Sequence, residues 1–227
     1  MCDISEYSIH NPQFQSDNLI RKTRFELISL YGRLFLNKKP KLSKGANLLH
    51  LGCGETMIKD WVNAGFYRIQ KFWKKTVGVQ ADWMLDLRYP LNCDDNVWDG
   101  IFCEHTLEHL YPIYALKLLK ELHRTMKPKT WLRINVPDLK KYIDYYNGNV
   151  PHENFLRWKT GCEAVRSLTQ NWWHLSVWDV TLLSQFLKKA GLINIREVEY
   201  RGGTDARLLK DSADRHWESL YIEAQKA

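Results

Sequence analysis

Two stretches of this 227-residue chain carry residue types at spacings that chemistry uses. In "NLLHLGCGET", residues 47–56, an apolar run ends in Gly52-Cys53-Gly54, and Glu55 follows at once. Two glycines after a strand let the backbone turn tightly and let a ligand approach it closely. In "EHTLEH", residues 104–109, Glu104, His105, Glu108 and His109 are concentrated. At helical spacing the two histidines are i, i+4, and so are the two glutamates. Downstream, His174 sits among tryptophans in "QNWWHLSVWD".

Each stretch excludes some chemistry. A dinucleotide turn needs G-x-G-x-x-G and an acid about 20 residues on. Here Met57 stands in the third glycine place, and no Asp or Glu lies between Asp60 and Asp82. No Gly-Lys-Ser or Gly-Lys-Thr follows, which excludes a P-loop. A G-x-G beside an acid suits a nucleoside that has no phosphates and a cationic amino-acid moiety, which describes S-adenosyl-L-methionine. The second stretch reads E-H-x-x-E-H, with Thr106 where H-E-x-x-H requires Glu. It is no zincin motif, so no metal site is expected. Glu108 and His109 read as helix-capping and polar packing.

The elements that must position these residues alternate. Residues 15–37 have helical spacing (Ile20, Leu27, Ile28, Tyr31, Leu34, Phe35), and Pro40 and Gly45 end the helix. "NLLHL" reads as a buried strand, and a helix is expected through 56–64. "TVGV", "WMLDL" and "VWDGIFCEH" read as strands. Residues 112–127 form an amphipathic helix opened by Pro112, and "WLRINVP" is the next strand. Helices are expected over 152–168 and over 178–191, the latter stopped by Gly191. "INIREVEY" and "ESLYIEA" close the chain as strands, with too little between them for a helix, so they pair antiparallel. The expectation is an α/β, Rossmann-like, doubly wound, mostly parallel sheet with an antiparallel last strand. An N-terminal helical extension, 1–45, precedes the main domain, 46–227.

Composition bounds the rest. Hydrophobic residues are 44% of the chain, a globular proportion. No apolar run approaches the roughly 20 residues of a membrane helix, and no apolar leader opens the sequence, so a soluble, cytoplasmic protein is expected. The five cysteines are scattered with no C-x-x-C pair, which indicates neither a zinc ribbon nor a disulfide framework. Segment 21–44 holds eight Lys or Arg against one Glu, an excess equal to the whole chain's +7. A solvated helix face explains it; nucleic acid, an anionic glycan or a membrane surface are the alternatives.

Taken in order, "LLHLGCGET", "ADWMLDLRYPLNCDDNVWDGIFCEHTLEHL" (81–110) and "LLKELHRTMKPKTWLRINVPDL" (118–139) resemble class I S-adenosylmethionine-dependent methyltransferases. The style is similar to a methyltransferase group (type 11-like) associated with bacterial surface-polysaccharide biosynthesis, to its "SLYIEAQK" ending. The resemblance covers about 46–140 well and the rest loosely. It implies the class I methyltransferase fold and S-adenosyl-L-methionine as cofactor. It implies that Gly52, Cys53 and Gly54 face the methionine and ribose, with Glu55 near the amino group or ribose. Asp86 and the backbone at Leu87 would hold the adenine, and Cys103, Glu104 and His105 would pass beneath the methionine. His105, placed against the methyl group, would be the base for a hydroxyl acceptor. His174 falls in the acceptor-side region as a second base or substrate contact, where Trp172, Trp173 and Trp178 could stack on a sugar ring. Arg88 and Tyr89 would line the same mouth.

The implied function is methyl transfer, as O-methylation, to a small-molecule or saccharide acceptor. The chain departs from the group's pattern at two points. "KPGG" reads "KPKT" at 127–130, and "WVNxD" reads "WVNAG" at 61–65, so Gly65 stands where the ribose-binding acid is implied. Gln70, Gln80 and Asp82 are the candidates to compensate. Losing a charge-assisted hydrogen bond costs roughly 1.5–3 kcal/mol, which motivates a second reading, a non-catalytic binding relative. A nucleic-acid methyltransferase using the basic segment ranks third.

Overall fold

The computed structural model describes residues 19–67 and 81–227. The expected strand "TVGV", Gln70 and Gln80 lie outside these residues. Seven strands form one sheet in the order β3-β2-β1-β4-β5-β7-β6. They are β1 (Leu48–Leu51), β2 (Val62–Gly65), β3 (Trp83–Met84), β4 (Gly100–Glu104), β5 (Trp131–Pro137), β6 (Ile193–Glu197) and β7 (Ser219–Gln225). Strands β1 to β5 pair parallel, and β7 runs antiparallel to both β5 and β6. The expected mostly parallel sheet with an antiparallel last strand is the one observed.

The sheet's two faces differ chemically, because side chains alternate along each strand. Leu49, Ile101, Leu132 and Ala224 lie in register on one face. They join Leu118 and Leu122 of α2 (Pro112–Thr125) and Leu183 and Leu187 of α5 (Val180–Lys189) in the main core. His50, Phe102, Arg133 and Glu223 lie in register on the other face, and all are buried. Arg133 is covered there by irregular chain: it donates to the carbonyls of Glu199 and Gly202 and to the Asp211 carboxylate.

Two further helices are α3 (Leu139–Tyr146) and α4 (Gly161–Gln170). Helix α3 was not expected from the sequence; it is short and capped by Asp138, whose side chain accepts from the Lys140 amide. The expected helix over 152–168 is instead a 3-10 turn, Glu153–Arg157, then α4, which opens on a capping box of Thr160 and Glu163.

The helix expected over 56–64 does not exist. Residues 62–65 form β2, and the connection from β1 contains only turns. Asp60 takes a left-handed φ of 64°, which a helix cannot accommodate. Asn63 replaces the missing helical hydrogen bonds: its amide oxygen accepts from the Ile58 amide, and its NH₂ donates to the carbonyls of Ile58 and Trp61.

Helix α1 (Leu19–Tyr31), with a π turn at Gly32–Leu36, lies against the chain that follows β2 and β3. Phe25 stacks on Phe66 at 4.5 Å, just beyond β2. Gly32 lies so close to Tyr67 that a Cβ would sit 2.2 Å from the ring. Among the described residues no helix is long and apolar enough to cross a membrane.

Candidate active site

Strands β1, β2, β3 and β4 are parallel neighbours, so their C-terminal ends at Leu51, Gly65, Met84 and Glu104 lie along one edge. That edge is where open α/β sheets bind ligands. Every cofactor-side residue singled out from the sequence follows or ends one of these strands: Gly52 to Glu55, Asp86 and Leu87, and Cys103 to His105.

The two glycines of the turn serve different needs. Gly52 has φ 73°, and a Cβ there would lie 1.9 Å from Thr106 Oγ1. Its close approach is to β4's own loop. Gly54 has φ 54°, and among the described residues no heavy atom lies within 4 Å of an added Cβ. Gly54 is thus the glycine whose Cα faces open space among the described residues. The amides of Gly52 and Cys53 both donate to the Ala64 carbonyl at 2.9 Å, which ties the turn to β2. Gly65 ends that strand, and a Cβ there would lie 3.3 Å from both Cys53 Sγ and Ala81 Cβ.

Asp86 is buried and engaged on both oxygens. Oδ2 accepts from Ser29 Oγ of α1 at 2.5 Å and from Arg88 Nη2 at 2.7 Å, and Oδ1 accepts from the Arg88 amide and Nε at 3.0 Å. Burial alone would raise its pKa, but the hydrogen bonds from Arg88 and Ser29 outweigh it and hold the carboxyl below its ordinary value. Arg88 also bonds Glu26 of α1 through both terminal nitrogens. Arg88 therefore links Asp86 to α1, and Tyr89 lies under the Arg33 guanidinium at 3.8 Å.

At the end of β4, burial pushes the Cys103 thiol up to about 12, so it stays a neutral packing group at pH 7. Glu104 is a structural acceptor: its Oε1 takes hydrogen bonds from Asn135 Nδ2 and the Ser212 amide. His105 has a left-handed φ of 43°, strained for a non-glycine residue. Its Nε2 lies 2.7 Å from Ser219 Oγ, whose own proton goes to the Arg215 carbonyl at 2.6 Å. Nε2 must therefore donate, and Nδ1, 3.3 Å from Glu108 Oε1, is the nitrogen left to accept a proton.

Glu108 and His109 do not cap a helix as the sequence suggested. They sit in a 3-10 turn, Leu107–His109, and Glu108 is 1% exposed. The chain around His174 is bound to that turn: the amides of Leu175 and Ser176 donate to the Glu108 carbonyl at 2.7 and 3.1 Å. Ligand atoms of Glu108, His109 and His174 thereby lie within 4.8 Å of one another. Sequence spacing missed this cluster, because its third member is far downstream and only loop docking delivers it. Of the tryptophans near His174, Trp178 is buried in the core, whereas Trp172 is exposed. Trp172 and Trp173 have φ of 58° and 65°.

No protein-family model matches the sequence, and no curated protein matches it. Solved structures do match in shape. An S-adenosylmethionine-dependent methyltransferase from Thermotoga maritima aligns with a TM-score of 0.53 at 14% identity, over 92% of this chain and 96% of that one. Another from Archaeoglobus fulgidus aligns at 0.48 and 16% identity, over 91% and 97%. The likeness to the Thermotoga protein, with the strand order, establishes the class I methyltransferase fold.

Proposed function

We propose that the chain is an S-adenosyl-L-methionine-dependent methyltransferase, with 46–227 as its catalytic domain and 1–45 as an extension. The observation that carries this is the Gly52–Gly54 turn at the C-terminal sheet edge, where a side chain added at Gly54 would enter open space among the described residues while Gly52 is locked against Thr106. The acceptor is a small molecule or saccharide, methylated on oxygen, and a role in surface-polysaccharide biosynthesis follows from the sequence resemblance.

The residues present fit the methionine side of the cofactor. The turn at Gly54, with Cys53 and Glu55 beside it, would hold the amino-acid moiety and ribose, and the β4 end at Cys103–His105 would floor it. When bound, the cofactor supplies a sulfonium methyl group for in-line displacement. The chain's own part is to orient the acceptor and exclude water. His105 is the proposed base, through Nδ1. His174 is the second candidate, through Nε2, since its Nδ1 faces the Leu168 carbonyl at 2.8 Å and must donate to it. Isothermal titration with S-adenosylhomocysteine, followed by transfer of labelled methyl to hydroxyl acceptors, tests the reading. Binding with turnover supports it, and neither binding nor transfer rejects it. His105→Asn, which tolerates the left-handed backbone, is expected to lower kcat by about 10²–10⁴.

One observation favours a second reading, a non-catalytic binding protein on the same fold. The implied adenine contact, Asp86, already accepts from Arg88 and Ser29, and Gly65 offers no carboxylate to the ribose. No heat on titration with S-adenosylhomocysteine, from a protein with an intact thermal transition, would select this reading.

A further inference from the structure

Glu108 is a buried carboxylate that faces the imidazoles of His105, His109 and His174. Neither of its oxygens accepts a hydrogen bond from the described residues, and His105 Nδ1 approaches only to 3.3 Å. A buried carboxylate with no hydrogen bond is stabilised by a cation held against it. The site thus brings two imidazoles of the described residues, those of His109 and His174, to a buried carboxylate.

His174 is prepared to serve as a ligand. A carbonyl can only accept, so the 2.8 Å contact with Leu168 fixes the proton on Nδ1 and leaves a lone pair on Nε2. A backbone carbonyl behind one ring nitrogen is the usual support for a metal-bound imidazole. The placement is built: the left-handed Trp172 and Trp173 turn the chain immediately before His174, and the amides after it are bonded to Glu108. His109 supplies the second imidazole, its ring 5.2 Å from that of His174 and edge-on to it.

We propose that Glu108, His109 and His174 bind a divalent first-row transition ion. Two imidazoles and one carboxylate are the donor set of catalytic zinc and of non-haem iron sites, which keep positions open for water or substrate. The ligand atoms, within 4.8 Å of one another, need only small rotamer shifts to reach bonds of about 2.0–2.2 Å. His109 is exposed and His174 half-buried, so an ion can enter from solvent. Polarising an acceptor hydroxyl in an open position would be its catalytic use; that role rests on the methyl-transfer reading, whereas binding does not.

The test uses the full chain, stripped of metal, with no cofactor or acceptor present. Titration with Zn²⁺ is expected to show one ion per chain, and Co²⁺ to give visible ligand-field bands. His109→Ala and His174→Ala should each weaken Zn²⁺ binding at least tenfold and remove the Co²⁺ bands. His109 is exposed, so its removal leaves the fold intact and decides the case even where His174→Ala fails to fold. The absence of stoichiometric binding overturns the proposal. So does binding of equal affinity in the His109→Ala/His174→Ala double variant.

Discussion

Glycine occupies three positions around the candidate site for three reasons. At Gly52 the backbone is left-handed and Thr106 fills the space a side chain would need. Gly52→Ala is expected to destabilise the fold by about 2–4 kcal/mol, combining backbone strain with overpacking, measured by urea denaturation. At Gly54 the strain is similar but the space is open. Gly54→Ala should therefore cost only about 1–2 kcal/mol of stability while lowering affinity for S-adenosylhomocysteine. At Gly65 the φ is ordinary and the neighbours are Cys53 Sγ and Ala81 Cβ at 3.3 Å, which a carboxylate can enter by displacing them a few tenths of an ångström. Gly65→Asp is expected to raise affinity for S-adenosylhomocysteine ten- to a hundredfold, corresponding to about 1.5–3 kcal/mol for a charge-assisted hydrogen bond. Unchanged affinity would show that the ribose is held elsewhere. The three glycines look alike in sequence, and only their surroundings separate them.

At the scale of elements, α1 is fastened to the sheet edge by Ser29 on Asp86, Glu26 on Arg88 and Phe25 on Phe66. Its helical spacing was readable, but where it docks was not, because its contacts are to loops after β2 and β3. Ser29→Ala removes a hydrogen bond to a charged carboxylate and should lower stability by about 1.5–3 kcal/mol. The Asp86 carboxyl is held below its ordinary value of 3.8 in the fold. Its contribution is therefore fully present above that ordinary value and is lost as the pH falls below it, through the depressed folded value. Urea denaturation at stepped pH should show that loss in the parent protein, and a smaller one in Asp86→Asn. The β1–β2 connection shows the opposite limit of pattern reading. Residues 56–64 look helical, yet a left-handed Asp60 and an Asn63 side chain that substitutes for helical hydrogen bonds produce turns and a strand.

Across the whole molecule the sheet has one oily face and one polar face. The first is closed by α2 and α5, the second in part by irregular chain around Arg133. The Arg133–Asp211 pair is 2.6 Å long and almost wholly buried, and Asp211 also accepts from Asn135 Nδ2 and the Arg201 amide. Removing one member of such a pair strands the other. Asp211→Ala should cost about 3–5 kcal/mol, seen as a lowered thermal transition. A loss well under 1 kcal/mol would show that water reaches the guanidinium. Replacing both members by apolar residues should recover much of the loss.

The sequence by itself determined the class of fold. Strand and helix periods, the Gly-Cys-Gly turn and the antiparallel ending are local patterns, set by backbone sterics and by which side of each element must be buried. It also placed Gly52, Asp86 and His105 at strand ends, since a ligand edge follows from parallel pairing alone. Tertiary structure decided what those residues touch. Asp86 meets α1, Gly52 meets Thr106, and His174 meets Glu108 and His109. These are contacts between segments far apart in the chain. Their partners are chosen by loop docking and buried hydrogen bonding, and neither leaves a period or spacing in the sequence.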